Sequence, residues 1–233
     1  MSPTIGGALA ALSLSYLVGS IPWAYIIVRA VAATDVTEHG SGNVGAMNVR
    51  RSTGSWGWFT VAMLADALKG IVPVAVAKSL AVGAVAALPV PATHLLDSDV
   101  SRGSAYLAMA AVAGAVFGHN YSLWMALIKK RFARTGKGLA TGAGALLSYD
   151  WRYFVAVVAV GLAVIALTRY MMAGQVVAAV TLPVTALLLR SSDWPFALVM
   201  GLVVYAAHHK RFVGMLKGQE PKFYINDRMG PRG

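Results

Sequence analysis

The sequence predicts an all-α, polytopic integral membrane helix bundle with about seven transmembrane helices, one of them short. Of its 233 residues, 58% are hydrophobic and only 12% are charged, so too little polar surface is available to cover a soluble globule. The apolar runs are continuous and rich in Ala, Leu, Val and Gly, whereas a membrane β-barrel needs short segments of alternating polarity. Because the chain has no cysteine, disulfides, thiolate metal sites and cysteine nucleophiles are excluded.

Seven apolar segments follow one another along the chain. They cover residues 5–28, 56–88, 104–128, 139–148, 153–167, 173–189 and 194–207. The fourth has only about ten residues where a crossing helix needs about twenty, so it is either a short helix supported by its neighbours or a re-entrant segment. We expect one membrane-embedded domain over residues 1–220 and a basic, disordered tail over residues 221–233.

The distribution of Lys and Arg predicts the orientation. If the loop at residues 29–55 is cytoplasmic, the run at 129–137, Arg169 and the tail from residue 208 lie on the same side and bring fifteen basic residues there. Only three lie in the opposite loops. The positive-inside rule then places the N-terminus outside and the C-terminus in the cytoplasm, in a multi-pass protein of the inner cell membrane. The net charge of +11 thus serves topology and anionic headgroups or substrates, and no nucleic-acid partner is expected.

A glycine-rich loop, GSGNVGAMNVRR at residues 40–51, lies between the first two segments. Its glycines let successive backbone N–H groups converge on an anion, and its two arginines supply fixed positive charge. The pattern indicates a cradle for a phosphate or carboxylate at the membrane surface. The alternative is a flexible interhelical turn whose arginines only follow the positive-inside rule. The candidate ligands here are Gly42, Asn43, Gly45, Asn48 and Arg51, with Ser41 as a hydrogen-bonding orienter rather than a nucleophile.

A second candidate anion site, TGKG at residues 135–138, opens the fourth segment. The N–H groups at a helix N-terminus favour a phosphate, and Lys137 adds a positive charge between Gly136 and Gly138. The segment is not a P-loop, because the required first glycine and the preceding strand are missing. His119 and His208 each lie at the end of a segment, where an interfacial hydrogen-bonding role is the alternative to a role in a site. The sequence has no cluster of His with Asp or Glu that would indicate a metal site.

Two ionisable residues, Asp66 and Lys69, lie about midway along the second segment. Three residues apart, they share one face of a helix. Ionisable groups at that depth are costly unless they are paired or face a polar cavity, so functional and structural roles are both open. We expect a structural pair that supports the site, because pairing alone satisfies both charges.

Taken together, these clusters resemble the bacterial acyl-phosphate:glycerol-3-phosphate acyltransferases. SGNVGAMNVRR at 41–51 and DALKG at 66–70 are similar to the first conserved block of that family. GHNYS at 118–122 and TGKGLAT at 135–141 resemble the second block, and His208 with GQEPKF at 218–223 resembles the third. GSIP at 19–22 is similar to the end of the family's first helix.

The resemblance implies a seven-helix enzyme that transfers a fatty acyl group from acyl phosphate to the 1-hydroxyl of glycerol 3-phosphate. The product would be lysophosphatidate, made without coenzyme A, another cofactor or a metal. His208 is one candidate base for the hydroxyl proton, and the acceptor's own phosphate is another. Expected partners are the two substrates, membrane lipids and a soluble enzyme that makes acyl phosphate. The implied catalytic residues are His208, Ser41 and Lys137, and the implied substrate contacts are Gly42, Asn43, Gly45, Asn48, Arg51, His119, Gly136, Gly138 and Glu220.

The chain departs from the family pattern at several positions. Met47 stands where the family usually has Thr, Thr135 replaces a glycine, and Arg211 stands where Asn is common. We therefore expect Thr135→Gly to be tolerated, since it restores the family residue. Two other classes remain open: a transporter or channel for organic phosphates, which would share the basic face, and a non-catalytic membrane scaffold.

Overall fold

The computed structural model describes residues 3–86 and 99–219, with side chains placed over 5–81 and 105–219. Within these residues the chain is helical and contains no strand, which confirms the predicted fold class. The expected tail at 221–233 and the candidate ligand Glu220 lie outside the described residues. The α-helices are α1 (Pro3–Gly19), α2 (Trp23–Ala32), α3 (Ala46–Thr53), α4 (Trp56–Ala86), α5 (Asp99–Asn120), α6 (Leu123–Lys129), α7 (Leu139–Tyr149), α8 (Trp151–Thr168), α9 (Met171–Leu188) and α10 (Trp194–Leu216).

Five described segments are long and apolar enough to cross a membrane. They are Ile5–Ala32, Trp56–Ala81, Ala105–Lys129, Trp151–Thr168 and Met171–Leu188. Helix α7 is shorter, and α10 has 23 residues but its apolar sequence is interrupted by the four polar residues 208–211. These two helices and the five segments together match the seven apolar segments of the sequence.

The chain divides into two compact units, Met1–Tyr149 and Asp150–Gly233. In the second unit, α9 packs against both α8 and α10. A Cβ atom at Gly201 would lie 2.4 Å from the carbonyl oxygen of Ala179, so glycine is needed where α10 approaches α9. The buried hydroxyl of Tyr153 donates to Asp193 Oδ1 at 2.6 Å, which ties the start of α8 to the residue before α10.

Two helical spans of the first unit are broken, and the breaks lie side by side. The α1–α2 break precedes Pro22, which has no backbone N–H, and the α5–α6 break lies at Tyr121 and Ser122. The Ser122 hydroxyl donates to the Ser20 carbonyl at 2.5 Å, and the Tyr16 hydroxyl donates to the Tyr121 carbonyl at 2.8 Å. Polar groups released by each break are therefore bonded across to the other chain segment, as burial in lipid requires. We call residues 20–22 and 121–122, where the two breaks lie side by side, the break level.

Helix α7 is short because it begins partway along α4. Its Thr141 carbonyl lies 2.1 Å from where a Cβ atom at Gly70 would stand, so the two helices touch at that glycine. Further on, Lys78 Nζ donates to the carbonyls of Ser148 and Tyr149 at 2.9 and 3.1 Å and caps the end of α7. The two helices thus run in the same direction. A short helix supported by its neighbour is the alternative that this geometry favours.

Candidate functional site

Asn48, in the first turns of α3, holds the glycine loop from inside. The residue is only 2% exposed. Its Nδ2 donates to the carbonyl oxygens of Val36 at 2.7 Å and His39 at 3.0 Å, and its Oδ1 accepts the N–H of Ser41 at 3.2 Å. The sequence predicts Asn48 as a substrate contact. In the structure, its amide gives the loop its shape.

The side chains of Ser41 and Asn43 lie at the tip of the loop, on either side of Gly42. Ser41 is exposed, Asn43 is half-buried, and the Asn43 Nδ2 donates to Ser41 Oγ at 3.3 Å. Gly42 has φ +68°, in the left-handed region that favours glycine. Gly45 then precedes α3, and its carbonyl accepts the N–H groups of Asn48 and Val49. The loop therefore presents small and amide-bearing side chains beside a helix start.

The two arginines of the loop have different environments. The family resemblance implies Arg51 as a substrate contact and does not include Arg50. Arg50 is buried, and its guanidinium carbon lies 3.8 Å from the centre of the Trp56 ring in a cation–π contact. Arg51 is half-buried, and a Cβ atom at Gly40 would lie 2.9 Å from its Cδ. The aliphatic part of Arg51 thus packs across the loop, and Arg51 is the better placed of the two to meet a ligand.

Thr135, at the start of the TGKG segment, is anchored to the end of α5. Its hydroxyl lies 2.9 Å from the His119 carbonyl and 3.2 Å from the Asn120 carbonyl and donates to them. The same oxygen accepts the N–H of Ser122 at 3.2 Å. Its own N–H donates to the Asn120 carbonyl at 2.8 Å. We call residues 40–51 the first loop and residues 135–138 the second loop. The second loop is thus positioned by residues about fifteen positions earlier in the chain.

His119 lies directly beneath this loop. A Cβ atom at Gly136 would lie 2.3 Å from His119 Nε2, so only glycine lets the loop sit on the imidazole. On its other side, His119 Nδ1 is 3.7 Å from Asp66 Oδ1, and Asp66 Oδ1 is 2.9 Å from Lys69 Nζ. All three side chains are buried. His119, predicted as a substrate contact, is here a bridge between the second loop and the charged pair in α4.

Lys69 also bonds to the break level. Its Nζ donates to the carbonyl of Ile21 at 2.8 Å, directly before Pro22. Asp66 and Lys69 therefore join the α1–α2 break to His119, as expected for a supporting pair. Asp66 lies ten residues into α4, which corresponds to about 15 Å along the helix from Trp56.

The two candidate anion-binding loops meet at one backbone hydrogen bond. The N–H of Val44 donates to the carbonyl of Thr135 at 2.7 Å. Lys137, half-buried, follows two residues later, and Gly138 with φ +71° turns the chain into α7. Residues that the sequence predicts separately, around 42–51 and 135–138, are thus brought into one site.

His208, the candidate base of the protein, lies in the second unit. It is 1% exposed in α10, and its Nδ1 is 2.8 Å from the carbonyl of Val204. A ring nitrogen that faces a carbonyl oxygen carries the proton, so Nε2 is the nitrogen that can accept one. This tautomer suits a general base.

An ion pair between Lys129 and Asp35 lies next to the segment that precedes the first loop. Lys129, the last residue of α6, donates to Asp35, which also accepts the N–H and hydroxyl of Thr37 at 2.8 and 2.6 Å. Burial raises the pKa of Asp35, but the hydrogen bonds from Lys129 and Thr37 outweigh this and hold its pKa below the ordinary value. The loop before α3 is thereby connected to the helix before the second loop.

Comparison with known proteins assigns this arrangement to a family. The sequence model of the family described as glycerol-3-phosphate acyltransferase matches residues 9–218, which is most of the chain. The chain belongs to that family. The finding supports the acyltransferase interpretation over the transporter and the scaffold.

Relatives and solved structures agree with the assignment. Two proteins named glycerol-3-phosphate acyltransferase, from Desulforudis audaxviator and Thermus thermophilus, are 35% and 36% identical to the chain. The matches cover 91% and 90% of this chain and 93% and 92% of the relatives. The crystal structure of PlsY, an integral membrane glycerol 3-phosphate acyltransferase in its glycerol 3-phosphate form, shares the fold with a TM-score of 0.73. It is 24% identical, with 93% of this chain and 96% of that chain covered.

Sequence reasoning missed the residues that fasten the loops. Thr135 stands out in the sequence only as a departure from the family, and Ser122 and Asn120 only as part of a motif. Thr135 carries no local signal for its role, since its partners lie at the end of another helix. Ser122 could have been found, because it precedes a short apolar helix and caps it by accepting the N–H of Met125.

Proposed function

We propose that this chain transfers a fatty acyl group from acyl phosphate to the 1-hydroxyl of glycerol 3-phosphate. The family and the names of its relatives support the acceptor, and the solved PlsY structures include glycerol 3-phosphate and lysophosphatidic acid forms. The observation that carries the proposal is the hydrogen bond from Val44 to Thr135. It places two loops with anion-binding character together, and the reaction brings together two substrates that both carry phosphate.

The transfer needs positioning and charge stabilisation more than a strong nucleophile, because acyl phosphate is already activated. The 1-hydroxyl oxygen forms a bond to the acyl carbonyl carbon while the bond from that carbon to the phosphate oxygen breaks. Inorganic phosphate leaves with the electron pair. Arg51, Lys137 and the N–H groups of the glycine loop hold the phosphates. Ser41 orients a substrate by a hydrogen bond.

The hydroxyl proton has two candidate acceptors. One is His208 Nε2, since Nδ1 is already bonded to the Val204 carbonyl. The other is the phosphate of the acceptor itself. A pH–rate profile of His208→Gln separates them: loss of the limb at low pH, where a protonated histidine cannot act as a base, together with a large fall in kcat assigns the proton to His208.

The site faces the cytoplasm of the inner cell membrane in this proposal, where a soluble enzyme supplies acyl phosphate. The excess of basic residues in the loops on that side supports the orientation. The chain has no natural cysteine, so single cysteines are unambiguous probes. Ser52→Cys and Gly218→Cys should both be shielded from an impermeant thiol reagent in intact cells, and Ser98→Cys should react. Gly218 is the decisive position, since it is exposed whereas the Ser52 hydroxyl is buried within the protein. Labelling of Gly218→Cys and Ser98→Cys from the same side contradicts the orientation.

The activity is tested with the purified protein, radiolabelled glycerol 3-phosphate and either acyl phosphate or acyl coenzyme A. Labelled lysophosphatidate should form with acyl phosphate only. No product from either donor overturns the proposed function, and product from acyl coenzyme A alone overturns the donor.

Substitutions at two residues, each with a matched control, test the anion site. Arg51→Ala should lower kcat/KM for glycerol 3-phosphate by roughly tenfold to more than a hundredfold, since a charged hydrogen bond contributes about 1.5–3 kcal/mol. The exposed Arg190, in a loop predicted on the opposite face, gives the control Arg190→Ala. Lys137→Ala and Lys137→Arg should both lose most activity, while Arg131→Ala should not. Wild-type kinetics in Arg51→Ala or in Lys137→Ala removes that residue from the mechanism.

A further inference from the structure

We propose that Thr135 is a positioning residue for the reaction. Its hydroxyl fixes the second loop against the break level, and its backbone carbonyl, held in place in this way, bonds to the first loop. This rests on the proposed acyltransferase function and adds a residue that the family pattern does not lead one to expect. The side chain touches no reacting atom in this proposal. Its effect is transmitted through the backbone of the two loops.

Three chain segments meet at Thr135. Its carbonyl accepts from Val44 in the first loop, and its N–H donates to Asn120 at the end of α5. Its hydroxyl donates to the carbonyls of His119 and Asn120 and accepts from the N–H of Ser122. One residue therefore connects the first loop, the second loop and the α5–α6 break.

The hydrogen-bond network continues beyond Thr135 to the first helix pair. Ser122, whose N–H bonds to the Thr135 hydroxyl, donates its own hydroxyl to the Ser20 carbonyl at 2.5 Å. The α1–α2 break is therefore linked to the second loop through only two side chains. A change at the Thr135 hydroxyl alters the partner of the Ser122 N–H, and through it the contact to Ser20.

The hydroxyl of Thr135 makes bonds that a glycine at this position cannot make. A glycine at position 135 keeps the backbone bonds but removes every bond of the side chain. It also frees φ and ψ in the segment that carries Lys137. The proposal therefore predicts the opposite of the sequence-based expectation that Thr135→Gly is tolerated or mildly improving: in this chain, the family's usual residue should loosen the loop.

The test compares Thr135→Val, which has nearly the same shape without the hydroxyl, with Thr135→Ser, which keeps it. Thr168→Val is a matched control, because the Thr168 hydroxyl also donates to a carbonyl, that of Val164 at 2.6 Å, and accepts an N–H, that of Tyr170 at 3.2 Å. Each variant is purified and assayed with acyl phosphate over a range of glycerol 3-phosphate concentrations.

Thr135→Val should lower kcat/KM for glycerol 3-phosphate by about tenfold to a hundredfold, with a rise in KM as well as a fall in kcat, since small displacements of positioning groups have effects of this size. Thr135→Ser should stay within about threefold of wild type, and so should Thr168→Val. A merely structural role would lower the melting temperature or the active fraction and leave KM unchanged. That outcome, wild-type kinetics in Thr135→Val, or equal losses in Thr135→Val and Thr135→Ser, overturns the inference.

A binding measurement separates this inference from the proposed function. Stabilisation of the purified protein by glycerol 3-phosphate is measured as a shift in melting temperature, without any acyl donor. The shift should be present in wild type and Thr135→Ser and reduced in Thr135→Val. If wild type binds but forms no product, the proposed transfer fails while the positioning is still judged by binding. An equal shift in all three proteins overturns the positioning role.

Discussion

The two candidate anion-binding loops are held together but are supported by different means. The first is shaped by a neutral amide that lies close by in the chain: Asn48 bonds to backbone groups between Val36 and Ser41. The second is shaped by distant groups, because Thr135 and Gly136 rest on the end of α5 and on His119. Under His119 lies the buried pair of Asp66 and Lys69. The first support is therefore local in the chain, and the second is distant.

The difference also separates the energetics of the two loops. A buried amide that loses its partners costs the desolvation of neutral groups, whereas a buried ion pair that loses one member leaves an uncompensated charge. The second loop should therefore be the more sensitive to a single change in its support, although it contains fewer residues.

Asp66→Ala should produce the largest effect, destabilising the protein by about 3–5 kcal/mol, because it leaves the buried Lys69 ammonium without its counter-charge. The measurement is denaturant unfolding in detergent, together with the yield of folded protein. The double variant Asp66→Leu with Lys69→Met removes both charges and should be more stable than Asp66→Ala. Recovery of activity as well as stability in the double variant indicates a supporting role. Recovery of stability without activity would assign one of the two charges to the reaction.

Asn48→Ala should have an intermediate effect of about 1–3 kcal/mol, the cost of leaving buried polar groups without partners. Hydrogen exchange should increase over residues 39–45 and much less over residues 134–139. The contrast with Asp66→Ala is the informative one, since that change should deprotect the second loop first. Equal deprotection of both loops by Asn48→Ala would mean that the two supports are not separate.

Asp35→Asn should have the smallest effect, and one that depends on pH. The pKa of Asp35 is lower in the folded protein than in the unfolded chain, so its contribution is present above the unfolded value and is lost as pH falls through the folded value. Wild type should therefore lose more thermal stability than Asp35→Asn between neutral pH and pH values below the ordinary range of an aspartate. Parallel pH curves for the two proteins would remove this ion pair from the stability of the first loop.

Much of the architecture could be predicted because apolar length and basic loops are properties of contiguous sequence. The pairing of Asp66 with Lys69 follows from their three-residue separation. The role of Lys78 could not be predicted, because it caps α7 from another helix some seventy residues away. The division of labour between Arg50 and Arg51 depends on where Trp56 lies, which the loop sequence does not reveal. The first of these contacts is long-range, whereas the second spans only six residues and depends on how the chain turns at Gly54 between α3 and α4.

The late start of α7 has a consequence for the response to salt. Because α7 meets α4 at Gly70, the second loop lies near the level of Asp66 and Lys69, about 15–20 Å along α4 from Trp56. Dissolved ions screen charges at the protein surface strongly but reach enclosed charges poorly. If the second loop binds a phosphate as proposed, ionic strength should slow the encounter of the anion with the exposed basic residues around Arg131 more than it weakens binding beside the half-buried Lys137. The rate of association should then fall more steeply with added salt than the rate of dissociation rises.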